Sequence, residues 1–183
     1  MQVPYRTRQY SLSRAAPGES DHLAVAQCFE RAQYDMPSGA HGVLAERLDR
    51  DILKSGRKPL IVDCNANIGA SVLWFAARYP EAHFIAVESI PDNFLLLPKN
   101  TLGLDVDLRQ AGIGSVDGFA SLSNPGGCSM PCRTNHGQNG IAIYILSFTP
   151  LRASKPAAEN TSFLLKVDIK GAKKSSSAVI PPP

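Results

Sequence analysis

Apolar residues fall into two periods along this chain. Between Pro59 and Glu88 the pattern changes from a continuous run to helical spacing and back again. Leu60, Ile61 and Val62 form a short run rich in β-branched side chains, which suits a strand covered on both faces. Asn65-Ala66-Asn67-Ile68-Gly69 follows as a turn, because Asn and Gly reach positive φ at the lowest steric cost. Ala70 to Tyr79 then has Val72, Leu73, Phe75, Ala76 and Tyr79 at helical spacing until Pro80 stops it, and His83 to Val87 is a second strand ending in Glu88. Two helices are predicted upstream. Asp21 to Tyr34 has Asp21 as N-cap with Leu23, Val25, Ala26, Phe29 and Ala32 turned inward. His41 to Lys54 places Val43, Leu44, Leu48, Ile52 and Leu53 on one face and Glu46, Arg47, Asp49 and Arg50 outside it.

Downstream, Ser89 caps a helix with Pro91 in its first turn, and Pro98 ends or kinks it early. Val106 to Gln110 is a third short strand. Gly118 to Ser123 and Ile141 to Phe148 are strands around a polar loop, and Phe163 to Ile169 is a fourth main strand, apolar on both faces. Strand alternating with helix is the signature of an α/β fold with a mostly parallel, Rossmann-like sheet and helices on both faces.

Chemistry enters at the strand ends. Asp63 and Glu88 each sit where a parallel strand runs out, the edge at which open α/β sheets bind ligands. An acid closing the second strand suits the hydroxyls of a ribose. No G-x-G-x-x-G follows the first strand, and a carboxylate at that turn repels phosphate, so a nicotinamide dinucleotide is disfavoured. A ligand with a sulfonium, an ammonium and a ribose but no phosphate fits better: S-adenosylmethionine. The bland alternative is a plain βαβ unit with acidic loop ends.

These residues carry a resemblance. Asp63-Cys64-Asn65-Ala66-Asn67-Ile68-Gly69 resembles the D-x-G-A-N-x-G turn of the FkbM-type family of S-adenosylmethionine-dependent methyltransferases. Further similar motifs are Ala86-Val87-Glu88, Pro91-Asp92-Asn93-Phe94, Asn100, Ala111-Gly112-Ile113-Gly114 and Leu165-Lys166-Val167-Asp168-Ile169-x-Gly171-Ala172, in the family's order over residues 59 to 172. The resemblance implies a class I methyltransferase sheet in the order three-two-one-four, with O-methylation of a sugar or natural-product hydroxyl as the activity. It implies Glu88 on the ribose, Asn67 and Gly69 backbone with Asp63 near the methionine portion, Ile113 against adenine, and Asp168 beside the acceptor as the candidate catalytic residue. It also implies three further strands, which the sequence after Ala172 does not supply. The chain thus reads as C-terminally truncated, with an exposed fourth-strand edge open to self-association. A non-catalytic remnant or cofactor-binding module is the alternative function. Departures from the family pattern are Asn65 in place of the first turn glycine, Ser89 after Glu88, and Lys170 and Lys173 where acids are expected. Lys166 and Lys170 flank Asp168 at even spacing, so they are expected on its face of the strand.

Composition narrows the rest. The 183 residues are 44% hydrophobic, enough for one globular domain. No apolar run nears the ~18 residues of a membrane span. The net charge of +3 is held by Arg6, Arg8 and Arg14 in an acid-free start, and the balanced remainder argues against a nucleic-acid surface. The expected organisation is a flexible arm at 1–20, a helical cover at 21–58, the methyltransferase-like domain at 59–172 and a disordered tail at 173–183. The expected partner is a small-molecule acceptor and the expected location the cytoplasm. Cys128, Cys132 and His136 are spaced four apart in the loop, but no fourth zinc ligand is evident, and Asn135 stands where an iron–sulfur motif would need its third Cys.

Overall fold

A computed structural model describes residues 2–5, 8–13, 19–36, 40–123, 133–135, 141–147 and 159–168. The chain opens with an antiparallel hairpin, β1 (Gln2–Tyr5) and β2 (Arg8–Ser11). Beyond it Leu12 is only 2% exposed and belongs to the main core, so the arm expected at 1–20 is docked at this point. Helix α1 (Glu19–Val25) runs into a single π-helical turn, Ala26–Glu30, closed by the Arg31 N–H on the Ala26 carbonyl. Asp21 is therefore buried inside the helix and does not cap it, and Leu23 is exposed.

Helix α2 (Ala40–Lys54) forms where its spacing predicts, but it is rotated. Val43, Leu44, Leu48 and Leu53 are exposed, Leu44 by 62%. The face turned inward is Gly42, Ala45, Asp49 and Ile52, spaced three and four apart. Small residues there allow close approach, and Glu46, outside it, pairs with Arg78. Burial raises the pKa of Asp49 on this inward face.

The central unit follows: β3 (Lys58–Cys64), α3 (Ala70–Arg78) and β4 (His83–Glu88). Two short helices come next, α4 (Pro91–Phe94) and α5 (Leu97–Asn100). Ile90, not Ser89, occupies the N-cap of α4, and Pro98 starts a new turn instead of ending the segment. After β5 (Val106–Gln110) come β6 (Gly112–Ile113), β7 (Gly118–Ser123), β8 (Arg133–Asn135), β9 (Ile141–Leu146) and β10 (Asn160–Val167).

The main sheet is β10-β3-β4-β5, and every pairing in it is parallel. In order of sequence these are the fourth, first, second and third main strands, so the expected order is found and β10 lies at the sheet's edge. Strand alternation splits the core in two. Ile61, Phe84 and Ala86 face α3, where Val72, Leu73, Trp74 and Phe75 are buried with Leu97 of α5. Trp74 packs edge-on to Phe75 with ring centroids 5.1 Å apart, and Tyr34 closes on both.

On the other face Leu60, Val62, Ile85 and Val87 meet Ala111, Ile113 and Leu146. The described helical residues of the two main clusters all lie on the first face, where the sequence suggested helices on both. A second sheet, β6-β9-β7-β8, includes the two strands expected around the polar loop, β7 and β9, as an antiparallel pair. Among the described residues β9 pairs with β6 and β7 and not with β10.

Candidate functional site at the carboxyl edge of the sheet

The site grows from the turn between β3 and α3. Asn65, Asn67 and Gly69 all have positive φ, at 71°, 54° and 93°. Only a residue without a Cβ suits Gly69, since an added Cβ would lie 3.2 Å from the Leu97 side chain. The N–H groups of Asn65 and Ala66 both donate to the Val87 carbonyl at 2.9 Å, which fastens the turn to the end of β4. Asn100 holds it from the other side: its amide donates to Ile68 O at 2.6 Å and to Ser13 O at 3.0 Å, and it accepts from the Ser13 N–H at 2.7 Å. One side chain thus ties the N-terminal segment to the turn.

Glu88 is fully buried, at 0% exposure. Its Oε2 accepts the Asn67 N–H and its Oε1 the Ile90 N–H, both at 2.8 Å, and the Ser89 backbone contributes a further hydrogen bond. A carboxylate has about four lone-pair directions, so about one remains for a ligand. Burial raises the pKa of Glu88 against the lowering effect of these N–H groups. The Glu88 carbonyl receives the Ala111 N–H at 3.0 Å, which brings the Ala111–Gly114 segment alongside. Ile113 is half-buried there and packs against the cluster that holds Val87.

Asp63 is likewise at 0% exposure. It accepts from Ser71 Oγ at 2.5 Å and from Lys166 Nζ at 2.7 Å. Lys166 reaches further, to Asn65 O at 3.0 Å and Ser71 Oγ at 3.3 Å, and its ammonium lies 5.7 Å from the Tyr34 ring centroid. Its side chain is 8% exposed. Burial works against the ammonium charge, but the Asp63 carboxylate outweighs it and holds the pKa above the ordinary lysine range. Lys166 thus shares a face with Asp63, its main partner, and Asp168 acts on the ammonium more weakly.

Asp168 itself is exposed at the end of β10. Its carbonyl accepts the Asn65 amide at 2.9 Å and its N–H reaches the Cys64 carbonyl at 3.4 Å. The structure therefore brings Asp63, Asn67, Gly69, Glu88 and Asp168 to one edge. Asn67 and Glu88 are in direct contact, whereas Asp63 and Asp168 are linked through Lys166 and Asn65. A hollow of about 410 Å³ opens beside this edge, lined in part by Tyr34, Met36, Phe75, Leu164 and Lys166.

Cys28 and Cys64 are buried, which pushes both thiols up to about 12 and makes them poor nucleophiles. Among the described residues no three of His, Cys, Asp and Glu group together. Cys128, Cys132, His136, Lys170, Gly171, Ala172 and Lys173 lie outside the described residues. No helix of the described residues is long and apolar enough to cross a membrane.

Sequence reasoning passed over Lys166, Ser71 and Asn100 as members of the site. The signal for Lys166 was a lysine inside FLLKVDI, since a buried lysine requires a paired carboxylate. Ser71 had no such signal, its partner being 8 residues away, and Asn100 was marked only as a match to the resemblance, with Ile68 32 residues away. No protein-family model, curated protein or solved structure matches the chain.

Proposed function

We propose that the chain is a methyltransferase that binds S-adenosylmethionine at the carboxyl edge of its parallel sheet and acts on a hydroxyl of a small-molecule acceptor. One observation carries this reading. The Asn67 N–H is bonded to Glu88 at 2.8 Å, so the turn after the first strand and the acid that ends the second form one unit. Such a unit, turned sharply by its left-handed backbone, lies at the carboxyl edge where open α/β sheets bind nucleosides. The juxtaposition supports this reading: the Asn67–Gly69 turn lies against Glu88, which keeps about one unused lone pair, and Ile113 offers a half-buried apolar surface. Because Glu88 is at 0% exposure, a ribose hydroxyl reaches it only when the covering turn opens.

When bound, the cofactor supplies an electrophilic methyl group, and the protein's task is alignment. Asp168, exposed beside the hollow's Lys166 and Val167, would orient an acceptor hydroxyl and take its proton as the new C–O bond forms and the methyl–sulfur bond of the sulfonium breaks. The largely apolar hollow receives the body of the acceptor.

A second reading has its own observation. Both Asp63 oxygens and most of the Glu88 lone pairs are used internally, as expected of a binding module or non-catalytic form that keeps the fold. Calorimetry with S-adenosylhomocysteine tests the shared part. Saturable binding that weakens at least tenfold in Glu88→Ala supports a cofactor site; no binding at millimolar ligand removes the enzyme and the binding module and leaves the non-catalytic form. Given binding, methyl transfer to acceptor alcohols that is lost in Asp168→Asn selects the enzyme over the module.

A further inference from the structure

Lys166 is the residue whose contacts span the site most widely. An ammonium has three donors. Here three acceptors meet it, on three different parts of the fold: Asp63 at the end of β3, Asn65 O in the turn, and Ser71 in the first turn of α3. Ser71 also donates to Asp63, so the trio is closed on itself. A buried ion pair alone is a poor reason to keep a lysine, because the desolvation cost rivals the attraction. Charge neutralisation of Asp63 requires only the first contact. The contact with Asn65 O does something different, since Asn65 is held at φ 71° and its side chain continues to the Asp168 carbonyl.

We propose that Lys166 is a positioning residue for the ligand-binding turn: through the Asn65 carbonyl it fixes the left-handed backbone that presents Asn67 and Gly69, and Asp63 and Ser71 serve to hold its ammonium in place. The ligand contacts at Asn67 and Gly69 rest on the methyltransferase-type reading above; the positioning of the turn does not. Asp63 accordingly acts through Lys166 and does not itself touch the ligand. Tyr34, whose ring faces the ammonium, closes the hollow side of the same assembly.

The test separates positioning from charge pairing. Lys166→Met combined with Asp63→Asn removes the ammonium without stranding a buried carboxylate. Positioning predicts a folded double variant whose Asn67 and Gly69 amides exchange at least tenfold faster and whose affinity for S-adenosylhomocysteine falls at least tenfold. Wild-type exchange and affinity in that variant would overturn the inference. If the wild-type chain does not bind S-adenosylhomocysteine, the functional reading fails, and the exchange rates alone decide whether Lys166 positions the turn. If the double variant does not fold, Ser71→Ala decides. It removes one of the two groups that hold the ammonium, so the Asn67 and Gly69 amides should exchange faster than in wild type, and unchanged exchange would overturn the assignment.

Discussion

Replacing Glu88 by alanine gives the most informative measurement of the site's energetics. The carboxylate is fully buried and accepts the N–H groups of Asn67 and Ile90. Its removal leaves three part-buried donors, the N–H groups of Asn67 and Ile90 and the Ser89 backbone, without that acceptor, at about 1–3 kcal/mol each. Relief of a buried charge works in the opposite direction, since burial already raises the pKa of Glu88. The net expectation is a loss of about 2–4 kcal/mol, or roughly 4–16 °C in melting temperature for a chain of this size. Glu88→Gln keeps one acceptor and removes the charge, so it should cost less than Glu88→Ala.

The two variants should also differ from wild type in their pH response. The folded-state pKa of Glu88 lies above its ordinary value of 4.5, so its contribution is fully present below that value and is lost as pH rises through the folded one. Wild type should therefore lose stability relative to Glu88→Gln over that rise. Urea denaturation at several pH values, with amide exchange at Asn67 and Ile90, reads both effects. A Glu88→Ala variant within about 0.5 kcal/mol of wild type, with both amides still protected, would refute the reasoning.

Three further outcomes are expected. Gly69→Ala should cost about 1–3 kcal/mol in urea denaturation, because φ is +93° and the new Cβ meets Leu97 and Thr101; an unchanged midpoint would count against the strained turn. Asp105 should contribute to acid sensitivity: burial works to raise its pKa, but hydrogen bonds from Lys58 and His83 hold it down at about 2. Its contribution is present above the ordinary value of 3.8 and lost as pH falls toward 2, on the order of 1 kcal/mol or less after solvent screening, and Asp105→Asn should flatten that part of the acid titration. Leu44→Gln and Leu48→Gln should each change stability by less than about 0.5 kcal/mol, whereas Ile52→Ala should cost about 2–5 kcal/mol; equal effects at all three would contradict the rotation of α2.

Local rules in the sequence were enough for β3, α3, β4 and β5, because each has a clean period and its own stop signal, such as Pro80 or the Asn-Gly turn. The placement of Asp63, Glu88 and Asp168 at one sheet edge was legible for the same reason, since acids that end parallel strands share that edge. Which face of α2 packs was not legible. The larger apolar stripe, with Leu44 and Leu48, lost to Gly42, Ala45, Asp49 and Ile52, because close approach to the rest of the fold depends on tertiary shape as well as on hydrophobicity. The partner of Lys166 was likewise settled by the parallel register of β10 on β3, which sets Lys166 opposite Asp63. A side-chain period shows which residues share a face, but only the neighbouring strand determines what charge stands there. Tertiary structure thus made a lysine expected beside Asp168 into the buried cation that joins Asp63, Asn65 and Ser71.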